Sequence, residues 1–303
     1  MKKQIKKEYI LYSLILTIIF MIPYYFNQVF EAHDLFFHLS RFDGIITAFE
    51  DGQILPKIYP YKNLGFGYAS PLFYCDIFLY FPSFLYKIGL SLFDSLTVLI
   101  FISTFFSSYF MMITTSAIVK NKYSAYISSL LYIFSTYRLT DVFVRCALGE
   151  ILALTFIPLV ILSIYLIVIE ESNKYYLLSI TVSLVLLSHN ISFIIIIIYL
   201  MFFCIFYIKK IISNKSIIAN LLKATILSIR ITAFFLFPML EMLSTNDFYL
   251  NHIQDFLDFS THSLKIEQLF ANTMTVGKSG QYLSEADHMT LSIGYLLTFI
   301  PKF

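Results

Sequence analysis

With 303 residues, 58% of them hydrophobic and 13% charged, and a mean hydropathy of +0.77, the chain has too few charges to cover a water-soluble globule of its size. A net charge of +2, with no clustered basic domain, gives no case for a nucleic-acid partner. The three cysteines, Cys75, Cys146 and Cys204, lie singly in apolar contexts, which suits packing and offers neither a CxxC knuckle nor a disulfide framework.

Apolar runs approaching the roughly 20 residues that cross a bilayer as a helix recur along the chain, whereas a barrel would show short alternating segments. The fold class expected is all-α, a polytopic transmembrane helical bundle forming one integral membrane domain over 1–303. Lys2, Lys3, Lys6 and Lys7 precede the first run, Tyr9 to Val29, and no small-x-small cleavage site follows it. This reads as an uncleaved signal anchor in a multi-pass cell-membrane protein with its N-terminus in the cytoplasm.

Immediately after that run comes HDLFFHLSR, carrying His33, Asp34, His38 and Arg41. Charges placed where a helix leaves the bilayer are costly, which marks this stretch as a candidate site. From Asp34 to Glu50, Leu35, Leu39, Phe42, Ile46 and Phe49 form an apolar stripe at spacings of three and four. Asp34, His38 and Arg41, at i, i+4 and i+7, share an adjacent face. The pattern predicts an interfacial helix in a first extracytoplasmic loop, residues 30–71, with Asp34, His38 and Arg41 facing the loop interior. The alternative is a solvated polar face on which Asp34 and Arg41 balance one another. Gly65 and Gly67 follow, without the preceding strand or the GK[ST] of a phosphate loop, and suit a tight turn instead.

Pro71 to Leu90, with Pro71, Asp76, Pro82 and Lys87, reads as a re-entrant or surface-lying piece that does not cross. Further spans are expected at Leu96 to Ile118, Tyr123 to Tyr137, Glu150 to Ile169, Tyr175 to Leu187, Ile191 to Ile208 and Leu221 to Leu240. Another begins near Leu291 and is cut off at Phe303, which suggests an architecture incomplete at its C-terminal end. Placing Lys120, Lys122, Lys174, Lys209, Lys210 and Lys215 in the cytoplasm puts Arg138 to Gly149 and Ser188 to Asn190 on the outer side with the first loop. Residues 241–290 then form a second extracytoplasmic loop.

Within YRLTDVFVRCALGE, Arg138, Asp141 and Arg145 share one face if the helix continues, and Glu150 follows Gly149. Guanidinium groups there suit the phosphate of a lipid carrier; a local Arg/Asp bridge with snorkelling to headgroups is the structural alternative. Ser188, His189 and Asn190 interrupt a long apolar stretch as the turn of a helical hairpin. A lone His in such a place is more often structural than catalytic. Its interest is that all three clusters fall on one side.

HDLFFHLSRFDG, DGQILPKIYPYKNLGFGYASPLFYCDIFLYFPS, YRLTDVFVRCALGEILALTFIPLV and LLSHN, in that order, resemble bacterial membrane proteins of the pyruvoyl-tetrahydropterin synthase-related group. Their proposed relatives are the YfhO-type proteins and, more remotely, the GT-C glycosyltransferases. The group's name is not literal, because the chain has neither a soluble α/β domain nor a His-rich zinc site. The resemblance, over roughly Tyr9 to Leu200, implies a GT-C-like fold and a membrane glycosyltransferase acting on cell-envelope glycan, with a polyprenyl-phosphate-linked sugar donor and membrane lipids as partners. It implies Asp34 as the catalytic base, with His38 orienting it, and Arg41, Arg138 and Arg145 as donor-phosphate ligands. His33, Asp76, Asp141, Glu150, His189 and Asn190 are the supporting set. His33, Asp34 and His38 are possible ligands of a divalent metal. The other classes that fit are a transporter or flippase of lipid-linked saccharide, for which Arg230 speaks, and a non-catalytic membrane scaffold.

Overall fold

A computed structural model describes residues 2–26 and 32–248, together with the isolated positions 266 and 269. In chain order the helices are α1 (Lys2–Phe20), α2 (Ile22–Tyr25), α3 (Leu35–Glu50), α4 (Ser70–Phe73), α5 (Tyr80–Lys87), α6 (Leu92–Val119), α7 (Lys122–Ile133) and α8 (Thr136–Thr140). A π-turn, Asp141–Arg145, leads into α9 (Leu148–Val168), α10 (Tyr175–Ser188), α11 (Asn190–Phe206), α12 (Ile208–Ser213) and α13 (Lys215–Thr245). Among the described residues there is no strand; one antiparallel bridge joins Tyr59 and Tyr68.

Among the described residues, three helices are long and apolar enough to cross a membrane: α6, α9 and α13. Helices α10 and α11 are apolar but shorter. At 1.5 Å per residue, α7 reaches only about 18 Å, short of the roughly 30 Å hydrocarbon layer. The span expected over Tyr123 to Tyr137 is therefore broken, because Ser135 takes an extended conformation between α7 and α8. Pro71 to Leu90 forms two short helices, α4 and α5, neither of which is long enough to cross. Helix α13 runs on to Thr245, into the expected second loop. Most of that loop, and the run from Leu291, lie outside the described residues.

The core is built where α6 meets α1, α7 and α9, and where α10 meets α9 and α13. In lipid, apolar faces gain little by association, so close packing of small residues and shared hydroxyls must hold such helices together. Ser108 on α6 donates to Ser13 on α1 at 3.0 Å and pairs with Ser129 on α7 at 2.7 Å. Ser103 and Ser107 on α6 meet Thr155 on α9 at 2.7 and 3.1 Å. These hydroxyls tie α1, α6, α7 and α9 into one body. Pro158 inside α9 cannot donate to the Leu154 carbonyl, and the Tyr132 hydroxyl of α7 does so at 2.5 Å.

Candidate functional site

Helix α3 forms over the stretch its spacing predicts, with Asp34 as its N-cap residue rather than a residue of the helix. Its start is strapped to the π-turn by two main-chain bonds, His33 N–H to Val144 O at 3.2 Å and Asp34 N–H to Arg145 O at 2.8 Å. The buried face is Leu35, His38, Arg41, Phe42, Ile45 and Ala48, while Phe49 is exposed. The polar residues His38 and Arg41 thus turn inwards against the 51–79 loop.

Arg41 is 2% exposed and donates from Nε and Nη2 to Asp76 Oδ1 at 3.1 and 2.6 Å. Nη2 also reaches the carbonyls of Tyr74 and Cys75, at 3.2 and 3.1 Å. Tyr59 donates its hydroxyl to the other oxygen of Asp76, and the Tyr74 ring lies 4.1 Å from the guanidinium carbon. The partner of Arg41 is therefore Asp76, not Asp34, and its guanidinium is closed off from a donor phosphate. Gly44 makes this possible, since a Cβ there would lie 2.7 Å from the Tyr59 ring. The loop itself is turned by reciprocal Tyr59–Tyr68 bonds at 2.9 and 3.0 Å, with Gly65 and Gly67 at positive φ.

Arg138 is also sealed, 1% exposed, with Nη2 on the Thr104 hydroxyl at 3.3 Å. The helix does not continue regularly from Arg138 to Arg145: the chain widens and underwinds into the π-turn and leaves it through Cys146 in the left-handed region. That extra residue per turn moves Arg145 off the face of Arg138. Arg145 keeps 25% of its side chain exposed and bridges two carboxylates, Asp141 at 2.9 Å and Glu150 at 2.8 Å. Tyr137 donates its hydroxyl to Glu150. Asp34 lies within electrostatic reach of Arg145, His33 and Glu150, and burial raises its pKa above the usual carboxylate range.

A one-residue turn at His189 joins α10 to α11, as the Ser188–Asn190 interruption predicts. His189 Nδ1 accepts from the Ser192 N–H at 3.4 Å, which leaves the imidazole proton on Nε2. His38 Nδ1 faces the Arg41 Nη1 donor at 3.3 Å, so its proton is likewise on Nε2. Burial lowers the pKa of both, with Arg41 adding to the effect at His38. Both rings flank Tyr74, at 6.1 and 6.0 Å between centroids. The Tyr74 hydroxyl packs against Gly149 in the first turn of α9. A Cβ at Gly149 would meet Tyr74 and lie 2.9 Å from the Ser188 carbonyl, so the glycine allows α9 to touch the α10–α11 turn.

The first turns of α3, α9 and α11 therefore meet around Tyr74. Each brings the positive end of a helix dipole, and Arg145 stands beside them with its guanidinium bridging Asp141 and Glu150. Asp34, Glu150 and neutral His189 stand at the same place as proton acceptors or donors. Among the described residues no group of three or more His, Cys, Asp or Glu side chains is arranged to hold a metal ion. His33, Asp34 and His38 differ in burial, from exposed to sealed.

Asp141 is fully buried, and burial together with Glu150 pushes its pKa up to about 7 despite Arg145. An acid whose pKa is raised on folding stabilises the fold below its unfolded value and loses that contribution as pH rises through the folded one. Stability from this group should therefore fall as pH rises from about 4 to about 7. Thermal melts in detergent across that range should show a flatter profile for Asp141→Asn than for the wild type.

No family model matches the chain, and no solved structure matches it. An uncharacterised protein of Lactococcus lactis subsp. cremoris is 27% identical over 253 residues, covering 80% of this chain and 41% of that relative. The chain thus spans less than half the length of the curated relative it matches.

Proposed function

We propose that the chain belongs to a membrane glycosyltransferase of GT-C-like architecture that takes its sugar from a polyprenyl-phosphate carrier at the outer face of the cell membrane and acts on cell-envelope glycan. The observation that carries this reading is the meeting of Asp34, Arg145, Glu150 and His189, from separate elements, at three helix N-termini beside apolar helices. Glycosyl transfer needs a base for the acceptor hydroxyl and a cation for the departing phosphate, in a site open to lipid. Asp34 is half-exposed and serves as the base; its raised pKa makes it a stronger one than a free carboxylate. Arg145, the partly exposed member of the three arginines, serves the phosphate. His189, with its proton on Nε2, is placed to donate a hydrogen bond to the same group. Arg41 and Asp76 hold the 51–79 loop, which carries Tyr74, against α3, with His38 beside them.

Membrane-reconstituted transfer from a radiolabelled polyprenyl-phosphate sugar pool tests the reading. Asp34→Asn should lower the transfer rate by about 10²–10⁴-fold at matched expression while leaving donor binding intact. Unchanged transfer in that variant would reject Asp34 as the base.

A second reading, a flippase for the same lipid-linked saccharide, draws on Arg230, which is exposed near the middle of α13. An intramembrane arginine is a functional position by default. If the flippase reading is right, Arg230→Ala will lower translocation of the lipid-linked saccharide about tenfold or more, a loss of about 1.4 kcal/mol; if the transferase reading is right, transfer will be unaffected.

A further inference from the structure

Pro238 lies inside α13 and cannot donate to the carbonyl of Phe234, four residues earlier. In a membrane helix such a freed carbonyl must find another donor. Here the donor comes from outside the helix: Lys57 Nζ, in the loop after α3, reaches Phe234 O at 3.0 Å. The comparable carbonyl below Pro158 is satisfied from the buried Tyr132 of a neighbouring helix. Lys57, by contrast, is half-buried and sits on a loop, so this closure can open.

Lys215 to Phe234 is about 20 residues, about 30 Å of helix, and already equals the hydrocarbon thickness. The part beyond Pro238 stands at the site end of the bundle. It covers the edge of the candidate site directly. Asn190, next to His189, donates to the Phe73 carbonyl at 2.8 Å and lies 3.6 Å from Met239 Sδ. Phe248, just past the helix, meets the Phe73 ring edge-on at 5.3 Å between centroids. The same loop that carries Lys57 carries Tyr59, which holds Asp76 and through it Arg41. A cavity lined by Lys57, Pro71, Cys75, Asp76, Phe234 and Phe235 separates the loop from α13 at this level.

We propose that the segment of α13 beyond Pro238 is a lid over the His189–Asn190 edge of the site, hinged at Pro238, with Lys57 as the latch that holds it closed. Releasing Lys57 frees the Phe234 carbonyl and lets the upper turns of α13 swing from Phe73 and Asn190. The gap so made lies between α13 and the loop. Resting on the transferase reading, this is the side by which a lipid-linked donor, its chain still in the bilayer, brings its phosphate to Arg145.

Amide hydrogen exchange in lipid nanodiscs tests the latch without substrate, so its failure would leave the transferase reading standing. Four proteins are compared: wild type, Lys57→Met, Pro238→Ala and the double variant. Lys57→Met should speed exchange over Leu236–Thr245 about tenfold, the loss of one hydrogen bond to a charged group. In the Pro238→Ala background, where residue 238 supplies its own N–H to Phe234, the same change should alter exchange less than about twofold. Equal acceleration in both backgrounds, acceleration in neither, or acceleration spread through α9 around Pro158 would overturn the proposal.

Discussion

Replacing Asp76 by Ala should cost about 3–5 kcal/mol of stability, the largest effect expected of any single change at the loop. The reason is what the substitution leaves behind. Arg41 is 2% exposed, and its guanidinium would keep the two main-chain carbonyls of Tyr74 and Cys75 but lose its counter-charge. A buried uncompensated cation is far more costly than a missing pair. The double variant Arg41→Met/Asp76→Leu should therefore be less destabilised than Asp76→Ala alone. Thermal unfolding in detergent, run as a double-mutant cycle with Tyr59→Phe as a milder third variant, gives the comparison. If Asp76→Ala melted within a degree of the wild type, the pair would not be holding the loop.

On the transferase reading proposed above, Arg145→Gln should raise the apparent KM for the phosphate-linked donor by about 30–150-fold, the loss of roughly 2–3 kcal/mol of charge-assisted hydrogen bonding. The same change strands Asp141 and Glu150, which now share that guanidinium at 2.9 and 2.8 Å. A stability loss is thus expected too. The two effects separate in Arg145→Lys, which keeps the charge and much of the fold but cannot bridge two carboxylates or clasp a phosphate bidentately. KM should stay raised in the lysine variant while the melting temperature largely recovers. A KM that recovered along with stability would make Arg145 a structural clamp alone.

Local order was the legible part of this sequence. The helix over α3, the hairpin turn at His189 and the shortness of the helices from Pro71 to Leu90 each follow from spacing, capping or proline content over a few residues. Partners distant in sequence were not legible. Asp34 and Arg41 share a helical face and suggest one another, yet Arg41 pairs with Asp76, 35 positions on, because the loop folds back beneath α3. The helical reading of Arg138, Asp141 and Arg145 as one face failed for a local reason: one extra residue in the π-turn rotates Arg145 outwards and leaves Arg138 sealed. No periodicity announces such a turn. The serine and threonine contacts that join α1, α6, α7 and α9 were missed as well, although small hydroxyl residues recurring in α6 at Ser103, Ser107 and Ser108 were a signal available in the sequence. Tyr74 and Gly149, around which the three helix ends meet, gave none.

The most direct test is binding of a polyprenyl monophosphate against a polyprenol of the same chain length, to the protein in nanodiscs, for the wild type and Arg145→Gln. A site built to receive a lipid-linked phosphate should bind the phosphate-bearing lipid at least about tenfold tighter, ~1.4 kcal/mol, and lose that preference in the variant. Equal binding of the two lipids by the wild-type protein would contradict it.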